Sequence, residues 1–500
     1  MEPDRHRKGD AYKMKKLIGL ILALALVLSL CTCGGQAATE QVAESGAVAE
    51  TELATESKED SSGDSTSSSA ETSESGSDTG SVEEAPVSST GTCSYRLDGV
   101  TVLSRHNIRS PLSGSGSLLG DITPHEWFEW TSNPSELSLR GALLETMMGQ
   151  YFRMWLEDEM LFPENYRPEE GDVRLYANSK QRTLATARYF SAGLFPVADV
   201  PIEIHAEYDT MDPTFNPRLT FLTDEYAEDI VEQIAEAGGE GGLEGIHEDL
   251  LDAITLLMDV TDMKESEAYQ SGTFGDLLTD PTEIVLEEGK EPAMTGSIKT
   301  ATSVADALKF QYYEEADDKA AAFGHDLTRA DWLKIQSIVD TYTQMLFTAP
   351  LVSVNVANPL LREIRSELSN EERKFSFLCG HDSNIASVLS ALGVEEYELP
   401  ETVEPATPIG VKLVFERWLD DNDEAFYKVS MVYQSTNQIC GNEQLSLENP
   451  PMKAALQFDG VETNDDGLIA EADLFELFDM AIDSYDKLLE QYAIEEEKAA

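Results

Sequence analysis

Arg105, His106 and Arg109 fall within one five-residue window of a 500-residue chain that has only 35 lysines and arginines. Two guanidinium forks can hold the oxygens of a phosphoryl group and stabilise the charge spread over them during transfer. A neutral imidazole between them can attack phosphorus and carry the group covalently, dividing one difficult displacement into two. Such a nucleophile needs one ring nitrogen free and its other N–H held, for instance by a backbone carbonyl. A surface salt-bridge cluster is the plainer alternative. Against it, Arg105–Pro111 directly follows a strand-like apolar run, Gly99–Ser104, and open α/β sheets bind their ligands beyond such strand ends.

Arg105–Pro111 resembles the Arg-His-Gly-x-Arg-x-Pro signature of the histidine acid phosphatases, the second branch of the histidine phosphatase superfamily, which includes phytases and glucose-1-phosphatases. The resemblance continues in order through Leu139–Gly141, Asn178–Thr183, Asp212–Pro217, Gly380–Asp382 and Pro408–Gly410, covering nearly all of residues 93–440. It implies that Arg182 is a third phosphate-binding arginine, that His381 helps hold the phosphate, and that Asp382 protonates the leaving alcohol. An alkoxide is a poor leaving group, so a neutral carboxylic acid beside it lowers the barrier. Asp382 would then have to stay protonated in the working range, which suits an acid optimum. One position departs from the signature: Asn107 stands where the family has Gly. Asn tolerates positive φ better than most residues, so the same loop is expected, with the Asn107 side chain near the phosphate.

Gly-His-Asp occurs twice, at 324–326 and 380–382. The first copy lies in a helical region, where Asp326 could cap the next helix. The second follows a strand-like run and precedes an amphipathic helix, a setting that aims a loop side chain and a helix N-terminus at an anion. The second copy is the expected site.

The elements that must position these residues read as an α/β fold, a central mixed sheet flanked by helices with an inserted α-helical cap. Strands are expected at Gly99–Ser104, Asp172–Ala177 and Lys374–Cys379, with an antiparallel pair at Val411–Arg417 and Phe426–Tyr433. Leu139–Glu157 is an amphipathic helix whose apolar face carries Leu143, Leu144, Met147, Met148, Tyr151, Phe152 and Trp155. Residues from about 216 to 368 are nearly all helical, which places the cap between early and late strands.

The formal charge is −59, which argues against nucleic acid or an anionic membrane surface as a partner. Lys15 and Lys16 precede an apolar run, Leu17–Leu30, an export signal too short to span a membrane; Met14 is a candidate start. The signal is assigned to residues 1–33. Cys31 or Cys33 at its end resembles a bacterial lipoprotein cleavage and lipidation site, with Leu30 or Thr32 where a small residue is usual; cleavage and release is the alternative. Residues 34–92 are rich in Ser, Thr and Glu and read as a disordered tether, leaving 93–500 as the phosphatase domain.

Cys93, Cys379 and Cys440 allow one bridge, with no pairing specified. No zinc-ligand spacing occurs. Glu462–Gly467 looks faintly like a calcium loop but reads better as a turn before the helix Ala472–Tyr492, since the first and twelfth ligand positions are wrong. His125 and His205 are read as structural or solvent-facing.

These readings combine into an exported phosphomonoester hydrolase, acting without metal or cofactor on a small phosphomonoester. It would touch the membrane only through a lipid anchor on the outer face of a bacterial cell. His106 and Asp382 are catalytic in this reading, and Arg105, Arg109, Arg182 and His381 bind phosphate. The alternatives are a phosphate-transferring mutase and a catalytically silent phosphate-binding or surface-interaction lipoprotein of the same fold.

Overall fold

The computed structural model describes residues 94–112, 118–272 and 276–492. The export signal, Cys31, Cys33, the tether and Cys93 lie outside the described residues, as do 113–117 of the stretch after the Arg-His motif.

An eight-stranded mixed sheet forms the centre, in the order β10-β8-β7-β1-β6-β2-β3 with β9 on β8. Its parallel half contains β1 (Arg96–Arg105), β2 (Val173–Ala177), β3 (Ile202–Glu203) and β6 (Phe375–Gly380). The antiparallel half contains β7 (Lys412–Leu419), β8 (Ala425–Tyr433), β9 (Met452–Ala455) and β10 (Ile469–Ala470). Alternation along each strand feeds two cores. Val102, Phe375 and Phe377 face one core, and Leu103, Leu378 and Phe415 face the other.

Helices α1 (Leu139–Asp158) and α2 (Gln181–Leu194) cover the first face with Leu144, Met148, Phe152 and Phe190. The α1 stripe differs from expectation at two positions. Leu143 is 48 % exposed, and charged Glu145 is fully buried beside Leu144. Gly141 lets α1 abut the loop after β1, since a Cβ there would come within 2.4 Å of the Ile108 carbonyl oxygen.

Between β3 and β6 lie α3 (Asp224–Glu236), α4 (Gly242–Val260), the hairpin β4–β5 (Glu283–Val285 with Ala293–Thr295), α5 (Ser297–Glu314), α6 (Arg329–Thr343) and α7 (Pro350–Leu368). Packing divides this expected single insertion. Helices α3 to α6 pack successively on one another, whereas α7 lies against α8 (Asp382–Ala391) and α9 (Glu471–Tyr492) on the second sheet face. Leu360, Leu361 and Ile364 of α7 share a core with Ile385, Val388 and Phe478. The other helices share the first core with the sheet. No helix among the described residues is long and apolar enough to cross a membrane.

Candidate active site

The parallel register places the chemistry. β1 ends with Arg105 opposite Gly380 of β6, and β2 ends with Ala177 opposite Cys379. The next residues, His106, His381 and Asn178, therefore emerge side by side at the C-terminal sheet edge, where such folds bind ligands. The His106 backbone N–H donates to the Gly380 carbonyl at 3.0 Å, and the two imidazoles meet edge to face with centroids 5.4 Å apart.

His106 Nδ1 donates to the carbonyl of Asn107 at 2.8 Å, which leaves the Nε2 lone pair free. Burial, then the nearby Arg182, His381, Arg109 and Arg105, push the imidazole pKa well below its ordinary value. His106 is thus a neutral base in a strongly cationic setting.

The three arginines differ in their partners. Arg105, only 2 % exposed, reaches Glu404 Oε2 at 2.8 Å and Asp382 Oδ2 at 3.0 Å. Arg109 pairs with Asp306 at 2.9 Å and lies over the Phe310 ring. Lys309 joins these pairs, with its Nζ 2.9 Å from Glu404 and 3.4 Å from Asp306. Glu404 is anchored further by the Tyr313 hydroxyl at 2.9 Å and the Ile409 N–H at 3.1 Å. Although burial opposes its charge, Lys309 and Arg105 bring its pKa down to about 2. Among the described residues Arg182 makes no ion pair; burial, reinforced by Arg109, lowers its pKa to about 10. Of the three arginines it is thus the one without a carboxylate partner among the described residues, and so is open to an incoming anion.

His381 precedes α8 and its ring is oriented by Asn178. Asn178 Oδ1 accepts from the Asp212 N–H at 2.9 Å, so its amide NH2 faces His381 Nε2 at 2.7 Å and donates to it. The ring proton therefore sits on Nδ1, which lies 3.4 Å from Arg182 Nη2 and is turned toward the same space. Asn384 fixes the turn by accepting from the His381 N–H at 2.9 Å. Burial and Arg182 keep His381 neutral.

Asp382 opens α8 with its carboxyl at the cleft. Surrounding protein would raise its pKa, but Arg105, first among its charged neighbours, outweighs that and holds it far below the usual carboxylate range. The expectation of a protonated Asp382 thus fails for the free site, because the Arg105 partnership was not legible from the motif.

Asn107 also corrects an expectation. Its φ is not positive, and its side chain turns away from the site to donate to buried Glu145 at 2.8 Å. The left-handed residue of this neighbourhood is Gly410, φ +67°, where a Cβ would come within 2.5 Å of Asn107 Nδ2.

The other Gly-His-Asp copy is remote from this chemistry. His325 and His125 both approach Asp262 Oδ2, at 3.4 and 2.7 Å, while exposed Asp326 pairs with Lys319 at 3.2 Å. Thr328, not Asp326, caps the following helix. His205 packs against Tyr176 with the rings tilted, and His247 bonds the Leu277 carbonyl. Cys379 and Cys440 are free thiols. In the calcium-like turn, Asn464 Oδ1 accepts the backbone N–H groups of Asp466 and Leu468, both at 3.0 Å.

Sequence reasoning missed Glu404, Lys309, Asp306, Glu145 and Lys412. It also missed Glu291, whose carboxyl senses Arg182, Asp382, Lys180 and Lys299 and is raised chiefly by desolvation. An isolated charge within an apolar helical stripe was the available signal for Glu145 and Lys309.

Comparison with known proteins agrees with this geometry. The family model of the histidine phosphatase superfamily (branch 2) matches residues 96–229 and 297–434. A glucose-1-phosphatase of Providencia rettgeri is 36 % identical over 393 residues, 77 % of this chain and 92 % of the relative. Phytase AppA of Escherichia coli is 28 % identical over 388 residues, covering 73 % and 87 %. Among solved structures, the apo form of Hafnia alvei phytase superposes with a TM-score of 0.72 at 25 % identity, covering 79 % of this chain and 99 % of that one. The Citrobacter braakii phytase gives 0.70 at 25 % identity, covering 78 % and 98 %. With the family model matching residues 96–229 and 297–434 and a relative 36 % identical over 77 % of this chain, the chain belongs to branch 2 of the histidine phosphatase superfamily and is a histidine acid phosphatase, a phosphoric monoester hydrolase.

Proposed function

We propose that this phosphatase works through a phosphohistidine on His106, and the observation that carries the reading is the free, neutral Nε2 among three guanidinium groups. Arg105, Arg109, Arg182 and His381 Nδ1–H hold the phosphoryl oxygens. The substrate enters as its monoanion, passing its proton to Asp382 as the phosphate draws Arg105 away. The Nε2–P bond forms while the bond from phosphorus to the alcohol oxygen breaks, and Asp382 returns the proton to that oxygen. Water then attacks phosphorus and gives a proton to Asp382 as the Nε2–P bond breaks. That proton leaves with the phosphate, restoring the carboxylate.

A sugar phosphate or similar small monoester fits better than a polyphosphorylated ring. Glu291 is electrostatically coupled to Arg182 and Asp382, so its carboxylate disfavours a second phosphate near them and offers an acceptor to a sugar hydroxyl. The 36 % identity to a protein named glucose-1-phosphatase points the same way. The enzyme is exported and held at the outer face of a bacterial membrane by lipid on Cys31 or Cys33, a reading that rests on the apolar leader and the Ser/Thr/Glu-rich tether.

The test is release of p-nitrophenol from its phosphate ester between about pH 4 and 7 with a chelator present. His106→Ala should abolish turnover and the acid-labile phosphoenzyme. Asp382→Asn should slow alkyl esters by about 10²-fold or more and p-nitrophenyl phosphate far less. Full activity of His106→Ala rules out this nucleophile. Fatty-acid labelling that survives loss of both cysteines rules out the anchor.

A further inference from the structure

A chain of buried polar contacts runs from Lys412 through Glu145 to Asn107 and ends on the nucleophile, and we propose that these three are positioning residues that set the aim of His106 Nε2. The inference rests on the reading of His106 as nucleophile.

Lys412 Nζ lies 2.8 Å from Glu145 Oε1, with both side chains 0 % exposed, and donates to the Gly410 carbonyl at 2.7 Å. Glu145 Oε2 accepts from Asn107 Nδ2 at 2.8 Å. Asn107 Oδ1 accepts from the Ile108 N–H at 2.9 Å, and the Asn107 N–H donates to Thr186 Oγ1 at 3.1 Å. Its carbonyl takes the His106 Nδ1 proton at 2.8 Å. The carbonyl that orients the imidazole therefore belongs to a residue pinned at its amide N–H and at both polar atoms of its side chain.

Folding alone does not account for such an arrangement. A buried ion pair seldom stabilises more than an apolar pair of the same volume, and a lone Asn amide in that interior would be costly unpaired. What the chain supplies is orientation. Burial raises the Glu145 pKa while Lys412, 2.8 Å away, favours the charged form, and a charged acceptor makes the bond from Asn107 stronger than a neutral one would. The family signature carries Gly at this position and can have no such side-chain link. Asn107 thus departs from the signature together with its own buried partners, away from the substrate.

Two variants cut the chain at different points: Asn107→Gly, and the volume-matched neutral pair Glu145→Gln/Lys412→Met. Each is assayed by stopped flow on p-nitrophenyl phosphate, with KM, inhibition by inorganic phosphate and thermal stability measured alongside. In each, kcat and the rate of phosphohistidine formation should fall about 10-fold, the scale on which misorientation by a fraction of an ångström acts. KM and phosphate inhibition should stay within about twofold, because no substrate contact is removed. The triple variant should be no slower than the slower parent, since a chain already cut cannot be cut again.

Wild-type kcat in the folded variants overturns the inference. So does a raised KM with unchanged kcat, which would place Asn107 on the substrate. Failure of both variants to fold overturns it too, by assigning the network to folding. Activity surviving in His106→Ala would instead refute the nucleophile reading, whereas an inactive His106→Ala beside unaffected network variants refutes only this inference.

Discussion

Arg105 Nη2 lies 3.0 Å from Asp382 Oδ2, so the proposed proton donor is a carboxylate until a substrate phosphate competes for the guanidinium. Surrounding protein alone would raise its pKa, and Arg105 depresses it instead. The proton must then arrive on the substrate. Because kcat/KM reports the free enzyme and free substrate, its alkaline limb should follow the second ionisation of the ester, about pH 6 for a typical phosphomonoester. Activity should fall as pH rises through that value. An aryl ester, being more acidic, should move the limb to lower pH than an alkyl ester does. Identical profiles for both esters would reject delivery of the proton by the substrate.

Arg182 and Arg105 should respond differently to neutralisation. Arg182 has no carboxylate of its own among the described residues, so Arg182→Gln should fold normally and weaken inhibition by inorganic phosphate by roughly 10- to 100-fold, the worth of a charge-assisted contact. Arg105→Gln instead leaves Glu404 buried with Lys309 as its remaining cation, and should cost on the order of 3 kcal/mol of stability. Urea unfolding and phosphate inhibition on both variants separate the cases. Equal loss of stability in the two would contradict the assignment.

Lys309 joins the carboxylates behind two different arginines, and its removal should give a pH-dependent defect. The pKa of Glu404 falls from 4.5 to about 2 in the folded protein. The stability this pairing contributes is therefore present above 4.5 and lost as pH falls through about 2. Without Lys309, Glu404 and Asp306 lose their common cation wherever both are ionised. Lys309→Met should thus be destabilised by about 3 kcal/mol near neutral pH, with the deficit shrinking on acidification as Glu404 protonates. A deficit equal at about pH 7 and about pH 3.5 would show that Lys309 acts by packing alone.

The motifs were legible because each sits at a strand end followed by a helix, a local pattern of a few residues. Their supporting charges were not. Arg105 meets Glu404 across 299 residues, and Asn107 meets Glu145 across 38; only the parallel register of β1 and β6 and the packing of α1 bring them together. The error over Asp382 has the same origin, since the motif names the acid without showing the Arg105 contact that ionises it. Helix α7 has the same apolar periodicity as the helices before it, so sequence alone groups it with the cap. Which face of the sheet it covers depends on contacts with α8 and α9 that periodicity does not encode.

Glu291 offers the sharpest handle on substrate choice. Its carboxyl lies within electrostatic reach of both Arg182 and Asp382, and desolvation, with Asp382, raises its pKa while Arg182 lowers it. In its ionised form it should repel any phosphate beyond the one being cleaved. Removing a unit charge at such a partly solvated site is worth about 1–2 kcal/mol. Glu291→Gln should therefore lower KM for a multiply phosphorylated ring such as phytate by about 10-fold. The same change should raise KM for glucose 1-phosphate a few-fold, if a sugar hydroxyl donates to this carboxylate. The two shifts have opposite signs, which a general loss of packing would not produce. Parallel changes in both KM values would remove Glu291 from substrate selection.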